Sequence, residues 1–278
     1  LASLYFVLAI GLMLFNRKVR KYAPLRIRNI KKLVGMKVFS LIHIWSAFLA
    51  SDYFDFCRAV EQSSCVFWNY WLPFSIGLGG WFAIFVLRLF DFISLFKVVS
   101  AKRRKIYRGI LFVIMILPPG ILSTVITATK SSYLSTHGPA FCNSNLTSQL
   151  SQLVYISIYL IIVFTFMVAI KVVIHQESVL NEYHALSNIA VSGFQVLAVT
   201  AFVQIYDGMQ SSWGRFVFGV CLVSIHVYAS LKLCGNELYY ALKNDQDYLM
   251  HFLENETKAA SRMFPPSLIL DVPSIRLD

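Results

Sequence analysis

Charge is scarce in this sequence, and acidic charge is scarcest. Only 14% of its 278 residues are charged, and 14 acidic residues stand against 25 basic ones. Soluble domains carry about a quarter charged residues, so a single water-soluble core is excluded. The signatures of catalysis are missing as well. There is no HExxH, no CxxC, no GxSxG, no glycine-rich phosphate loop and no membrane diaspartyl pair. His43, His175, His184, His226 and His251 are scattered, with no two at the i, i+4 spacing that would place metal ligands on one helix face. An enzyme is therefore not expected, and neither a metal nor another cofactor is implied.

What is present is apolar sequence in blocks. Fifty-seven per cent of residues are hydrophobic, and they gather into runs about as long as a bilayer is thick, separated by polar loops. The pattern predicts an all-α membrane protein with seven spans: residues 1–15, 33–50, 65–96, 109–127, 153–173, 186–206 and 213–234. The first run is short for a span, and the chain opens on Leu1, so further N-terminal sequence is expected. Gly77, Gly79 and Gly80 sit in the outer half of span three, where small residues let a neighbouring helix or a ligand come close. Pro118, Pro119 and Gly120 predict a kink in span four. Lys37, near the inner end of span two, is expected to snorkel to the headgroups.

The basic excess has a position. Arg17, Lys18, Arg20, Lys21, Arg26, Arg28, Lys31 and Lys32 share one interhelical loop, and Lys97, Lys102, Arg103, Arg104, Lys105 and Arg108 share another. Basic residues in alternate short loops are the positive-inside signature, so the N-terminus is placed outside and the C-terminus in the cytoplasm. This reading needs no nucleic acid; the partner is the lipid bilayer, with an acidic cytosolic protein as a compatible second surface. Residues 1–234 form the membrane domain. Residues 235–278 form a cytoplasmic tail, with Leu238, Leu242, Leu249 and Leu253 at spacings that fit an amphipathic helix.

The outward loops collect Cys57, Cys65 and Cys142 on the oxidising side. Cys65 at the outer tip of span three is the favoured partner for Cys142, with Cys57–Cys142 the alternative. Asn145-Leu146-Thr147 is a glycosylation sequon on the side already assigned to the exterior. Cys234 reads as a small apolar residue, with palmitoylation the alternative. Near the inner end of span three, Arg88 and Asp91 lie one helical turn apart. Charges in a span are costly and usually paired. They read either as a partly hydrated interfacial pair or as an ionic latch beside the basic loop.

Seven spans, an external start, a span-three cysteine facing the second outer loop and charges at the inner end of span three resemble the G-protein-coupled receptors. The rhodopsin-like motifs are missing: LRLFDF stands where DRY would, and CWxP and NPxxY are absent. APLRIRNIKKLVG and CVFWNYWLPFSIGLGGWFAIFVLRLF look more similar to the receptor-like region that fungi and plants fuse to a regulator-of-G-protein-signalling domain. That resemblance implies a multi-pass plasma-membrane protein that carries an extracellular stimulus to a heterotrimeric G protein or Gα subunit. Arg88, Asp91, Lys102, Arg103, Arg104 and Lys105 would form the cytoplasmic coupling surface, and Trp81, Gln204 and Tyr206 would line a pocket for an unknown extracellular ligand. The 43 residues after Gly235 (278 minus 235) are too few for a complete regulator domain, so GTPase acceleration is not expected of this chain. The competing expectation is a transporter of a small solute, which would need matched halves and buried mid-membrane charge.

Overall fold

The computed structural model describes residues 1–27, 29–50, 66–96, 101–129, 132–135, 141–173, 180–205, 211–243, 245–250 and 254. Helix α1 (Ala2–Phe15) ends at Asn16, whose side chain accepts from the backbone N–H of Lys18 at 3.0 Å and Val19 at 3.3 Å. That cap starts the one-turn helix α2 (Arg17–Lys21). A second short helix, α3 (Ala23–Ile27), follows with Pro24 in its first turn, where the missing N–H costs nothing. Pro24 thus opens a separate short helix within the basic loop.

Helix α4 (Ile30–Ala50) leads to the third long element, a π-helical segment (Phe67–Leu78) running directly into α5 (Gly79–Phe96). The segment contains Pro73, which cannot donate to the helical ladder. A wider π repeat is one of the few ways a helix absorbs such a defect. Helix α6 (Ala101–Ala128) starts eight residues before the expected span (109 minus 101). The basic loop therefore becomes its first turns.

The connection between α6 and the next long helix holds a two-stranded antiparallel ribbon, β1 (Ser132–Ser135) and β2 (Phe141–Ser144), pairing Ser132 with Ser144 and Leu134 with Cys142. The all-α expectation is modified to that extent. Helix α7 (Leu146–Val173) is capped by Asn145, whose side chain accepts from the Ser148 N–H at 3.0 Å. Helices α8 (Leu180–Ile205) and α9 (Ser212–Lys243) complete the described bundle. Helix α9 runs unbroken past Cys234 and takes in the first residues assigned to the tail.

Five of these helices are long and apolar enough to cross a membrane: Ile30–Ala50, Phe67–Asp91, Arg103–Ala128, Thr147–Lys171 and Ser212–Lys243. Helix α1 and the stretch Ala185–Val199 of α8 are apolar but shorter. This is the construction of a multi-pass membrane protein.

The third element is the axis. It packs against α4, α6 and α7, while α9 lies against α8, α4 and α1. Within Phe67–Asp91, 72% of an apolar 18-residue window is buried, against 22% of the corresponding window in α6. Phe74, Trp81, Phe82, Phe85, Val86 and Leu89 project from this element into the main apolar core. Close approach to α4 depends on Gly77 and Gly80: a Cβ at Gly77 would stand 2.8 Å from the His43 Cα, and one at Gly80 would stand 2.6 Å from the Phe39 ring. Of the two possibilities left open for these glycines, helix packing is the one realised.

Pro118 and Pro119 lie inside a continuous α6. Pro119 frees the carbonyl four residues back, that of Met115. Tyr155 Oη donates to that oxygen at 3.2 Å, and Tyr159 Oη donates to it as well, both from α7. The helix break is thereby converted into an interhelical tie. Replacing both tyrosines with Phe keeps the rings and orphans a buried carbonyl, which costs about 1–3 kcal/mol. Each single variant is expected to lose less than half of the double-variant effect, because the remaining hydroxyl still satisfies the oxygen. Thermal unfolding of the three variants checks this.

Candidate functional site

Two polar assemblies stand out from the apolar bundle. The first is buried between α1, α4 and α9. Along α4, Lys37, Ser40, His43 and Ser46 recur every third residue, and all four are buried. Three-residue spacing keeps side chains near one face of a helix, and this face meets His226 and Ser230 of α9. Lys37 is 2% exposed; its Nζ donates to Ser230 Oγ and lies 3.5 Å from Tyr5 Oη. The same ammonium stands 4.9 Å from the Tyr5 ring centre and 5.7 Å from that of Phe6. Lys37 does not reach for the headgroups. It turns inward because Tyr5, Ser230 and two aromatic faces offer it partners inside.

One turn further along α4, Ser40 Oγ is 3.0 Å from His226 Nδ1, and His226 Nε2 is 2.9 Å from His43 Nδ1. A neutral imidazole donates through one nitrogen and accepts through the other. The chain Ser40–His226–His43 therefore has two proton arrangements, related by reversing every bond in it. His43 and His226 both face the bundle interior and share an internal hydrogen bond. What sequence reading missed is that they meet each other, 183 positions apart. The legible signal was the polar three-residue repeat in α4.

Trp81 stands 5.6 Å from the His226 ring, edge to face, and stacks on Phe85 at 5.3 Å. Together with Lys37, Ser40, Ser230 and Cys234, the Trp81 and His226 rings border a small cleft, whose free volume of about 10 Å³ has room for about one water molecule. Of the three residues proposed to line a ligand pocket, Trp81 lies here; the Gln204 side chain and Tyr206 lie outside the described residues. Cys234 is fully buried, with its thiol 3.3 Å from the Ser230 carbonyl, a setting for a small apolar residue and not for a lipid anchor.

The second assembly lies near the C-terminal end of the axial helix. Asp91 of α5 accepts from Lys32 Nζ of α4, and its other oxygen lies 2.5 Å from Arg108 Nε of α6. Lys32 also donates to the Leu87 carbonyl at 3.3 Å. One carboxylate thus pins three helices. Arg88 is buried one turn away. The described partners of Asp91 come from other helices, where the sequence had set it beside Arg88. Beyond it, Arg103 and Lys105 are exposed in the first turns of α6, and Lys102 is in the same helix. Cations at a helix N-terminus oppose its dipole, so this run is not there to stabilise α6.

The descending end of α9 folds against α2 and α3. Tyr240 stacks on Tyr248 at 4.0 Å, and Asp245 accepts from the Tyr248 N–H at 3.0 Å, which holds its carboxyl below the usual range. Burial, joined by the field of Tyr248, Asp245, Glu237 and Tyr240, pushes the Tyr22 phenol up to about 12. Its hydroxyl makes no hydrogen bond among the described residues. The folded state therefore keeps its proton when the unfolded chain loses it, so stability is present below pH about 10 and drains between about 10 and 12. Tyr22→Phe is expected to flatten that decline and to leave neutral-pH stability unchanged, as read by melting temperature against pH.

The pairing of Cys65 or Cys57 with Cys142 falls on side chains outside the described residues, while Cys221 and Cys234 are free thiols. Asn145 is exposed. Among the described residues no three His, Cys, Asp or Glu side chains gather as a metal site. A scan against protein-family models and a search of curated proteins both find no match.

Proposed function

We propose that this chain is a seven-span, receptor-like membrane protein of G-protein signalling, with its N-terminus outside and its tail in the cytoplasm of the plasma membrane. The observation that carries the reading is the order of helix neighbours. Elements one to seven (α1, α4, the π-helical segment with α5, α6, α7, α8 and α9) close into a bundle in which the third touches the second, fourth and fifth, and the seventh touches the first and second. Such an arrangement makes the third helix a lever between faces. A stimulus that changes its packing at Trp81 alters the Asp91 contacts to Lys32 and Arg108 at the other end, a shift between two bundle arrangements. Arg88, Asp91, Lys102, Arg103, Arg104 and Lys105 then form the surface offered to a Gα subunit. The disulfide to Cys142 and a glycan on Asn145 belong to the same topology.

A second reading, a small-solute transporter, is favoured by one observation: Lys37 is an ionisable group buried about 10 Å into α4, where pathways through membranes place theirs. Co-purification with Gα subunits separates the two. Reversing Lys102, Arg103, Arg104 and Lys105 to Glu is expected to abolish Gα association. Unchanged association, or saturable solute uptake by proteoliposomes that does not depend on Gα, would displace the receptor reading.

A further inference from the structure

The ammonium of Lys37 has hydroxyls and aromatic faces around it, and among the described residues no carboxylate touches it. A lone cation inside an apolar bundle is expensive and ordinarily meets an opposite charge. The groups beside it are donors or can serve as donors. Tyr5 Oη and Ser230 Oγ lie 3.0 Å apart, so only one of them can point its hydrogen at the other. When Tyr5 is the donor, the hydroxyl hydrogen of Ser230, which borders the cleft, is left to turn toward it. Ser40 Oγ does the same whenever His226 Nδ1 carries the proton and donates to it. The cleft bordered by Lys37, Ser40, His226 and Ser230 thus sets the Lys37 ammonium beside hydroxyl donors in a small free space.

We propose that this cleft is a binding site for a small monovalent anion, chloride or another halide. A water molecule in the same place would satisfy hydrogen bonds but leave the charge unbalanced. No guanidinium fork lines the cleft, so nothing in it matches the paired oxygens of a carboxylic metabolite, sulfate or phosphate. A halide is spherical and content with ammonium and hydroxyl donors alone. Bound there, it joins α1, α4 and α9 through one ion, next to Trp81 of the axial helix. The inference stands on the cleft alone and does not depend on whether the chain signals or transports.

The test uses the full chain, purified in detergent, with melting temperature measured in sodium chloride and in sodium gluconate at constant ionic strength. Gluconate is too large to enter. Chloride is expected to raise the melting temperature saturably, by roughly 3–5 °C once its concentration is about tenfold above the dissociation constant. Lys37→Gln is expected to remove the dependence, and Ser230→Ala to shift its midpoint to higher chloride. Bromide should quench Trp81 fluorescence with the same midpoint, a signal that Trp81→Phe removes. Identical melting curves in chloride and gluconate across the range would overturn the site and leave a water in the cleft. So would a Lys37→Gln protein with the wild-type chloride response. If Lys37→Gln does not fold, the wild-type salt comparison and the Ser230→Ala midpoint still decide.

Discussion

Asp91→Ala is expected to be the most damaging single substitution in the described bundle. It leaves Lys32 and Arg108 facing each other across the end of the axial helix with no negative charge between them. Breaking a buried ion pair by removing one partner costs about 3–5 kcal/mol. The Asp91 side chain is 22% exposed, so partial screening lowers the expectation to about 2–4 kcal/mol. For a chain of this size that corresponds to a fall of roughly 5–15 °C in melting temperature. Asp91→Asn should lose nearly as much, because it keeps the shape and removes the charge. The combined Lys32→Met, Asp91→Leu and Arg108→Met variant should recover most of the loss, since an apolar trio is not penalised for desolvation. If Asp91→Asn melts like the wild type, the cluster is a hydrated surface feature and not a latch.

Gly77→Val is the second. Its Cβ would sit 2.8 Å from the Cα of His43 and 2.9 Å from the backbone nitrogen. The atoms in the way are main chain, so no rotamer change can clear them, and α4 itself must move. Overpacking in a close-packed core costs about 1–3 kcal/mol, and a backbone collision belongs at the top of that range. Because His43 rides on the displaced stretch, its 2.9 Å bond to His226 should lengthen too. Imidazole resonances of the two rings, observed by NMR in the purified protein, report this separately from stability. Gly120→Ala provides the control: a Cβ there meets nothing within 4 Å. It should be neutral or gain up to about 1 kcal/mol from helix propensity.

Five of the seven expected spans were legible because apolar run length is a direct reading of bilayer thickness. Helix ends were less so. Helix α9 continues past Cys234 to Lys243, and α6 begins within AKRRK, because a helix has no need to stop where the hydrocarbon does. The orientation of Lys37 was not legible. A lysine two turns inside a span reads as snorkelling, and only the recurrence of Ser40, His43 and Ser46 on its face hinted at an inward polar seam. The partners of Asp91 were hidden for a different reason. Arg88 is its neighbour in sequence, whereas Lys32 and Arg108 come from flanking helices brought together by packing. Pro119 gave half of its story: the defect was visible, but the two α7 tyrosines that satisfy the freed Met115 carbonyl lie 40 and 44 residues away.

The central claim is a seven-span bundle with the Asn145 loop outside and the Arg103–Lys105 turns inside. Glycan mapping in intact cells tests it most directly, using the native sequon and a second one introduced near Arg103. An endoglycosidase-sensitive mobility shift is expected that disappears in Asn145→Gln, with the introduced sequon left unmodified. Modification of the introduced sequon, with Asn145 bare, would invert the bundle and contradict the account.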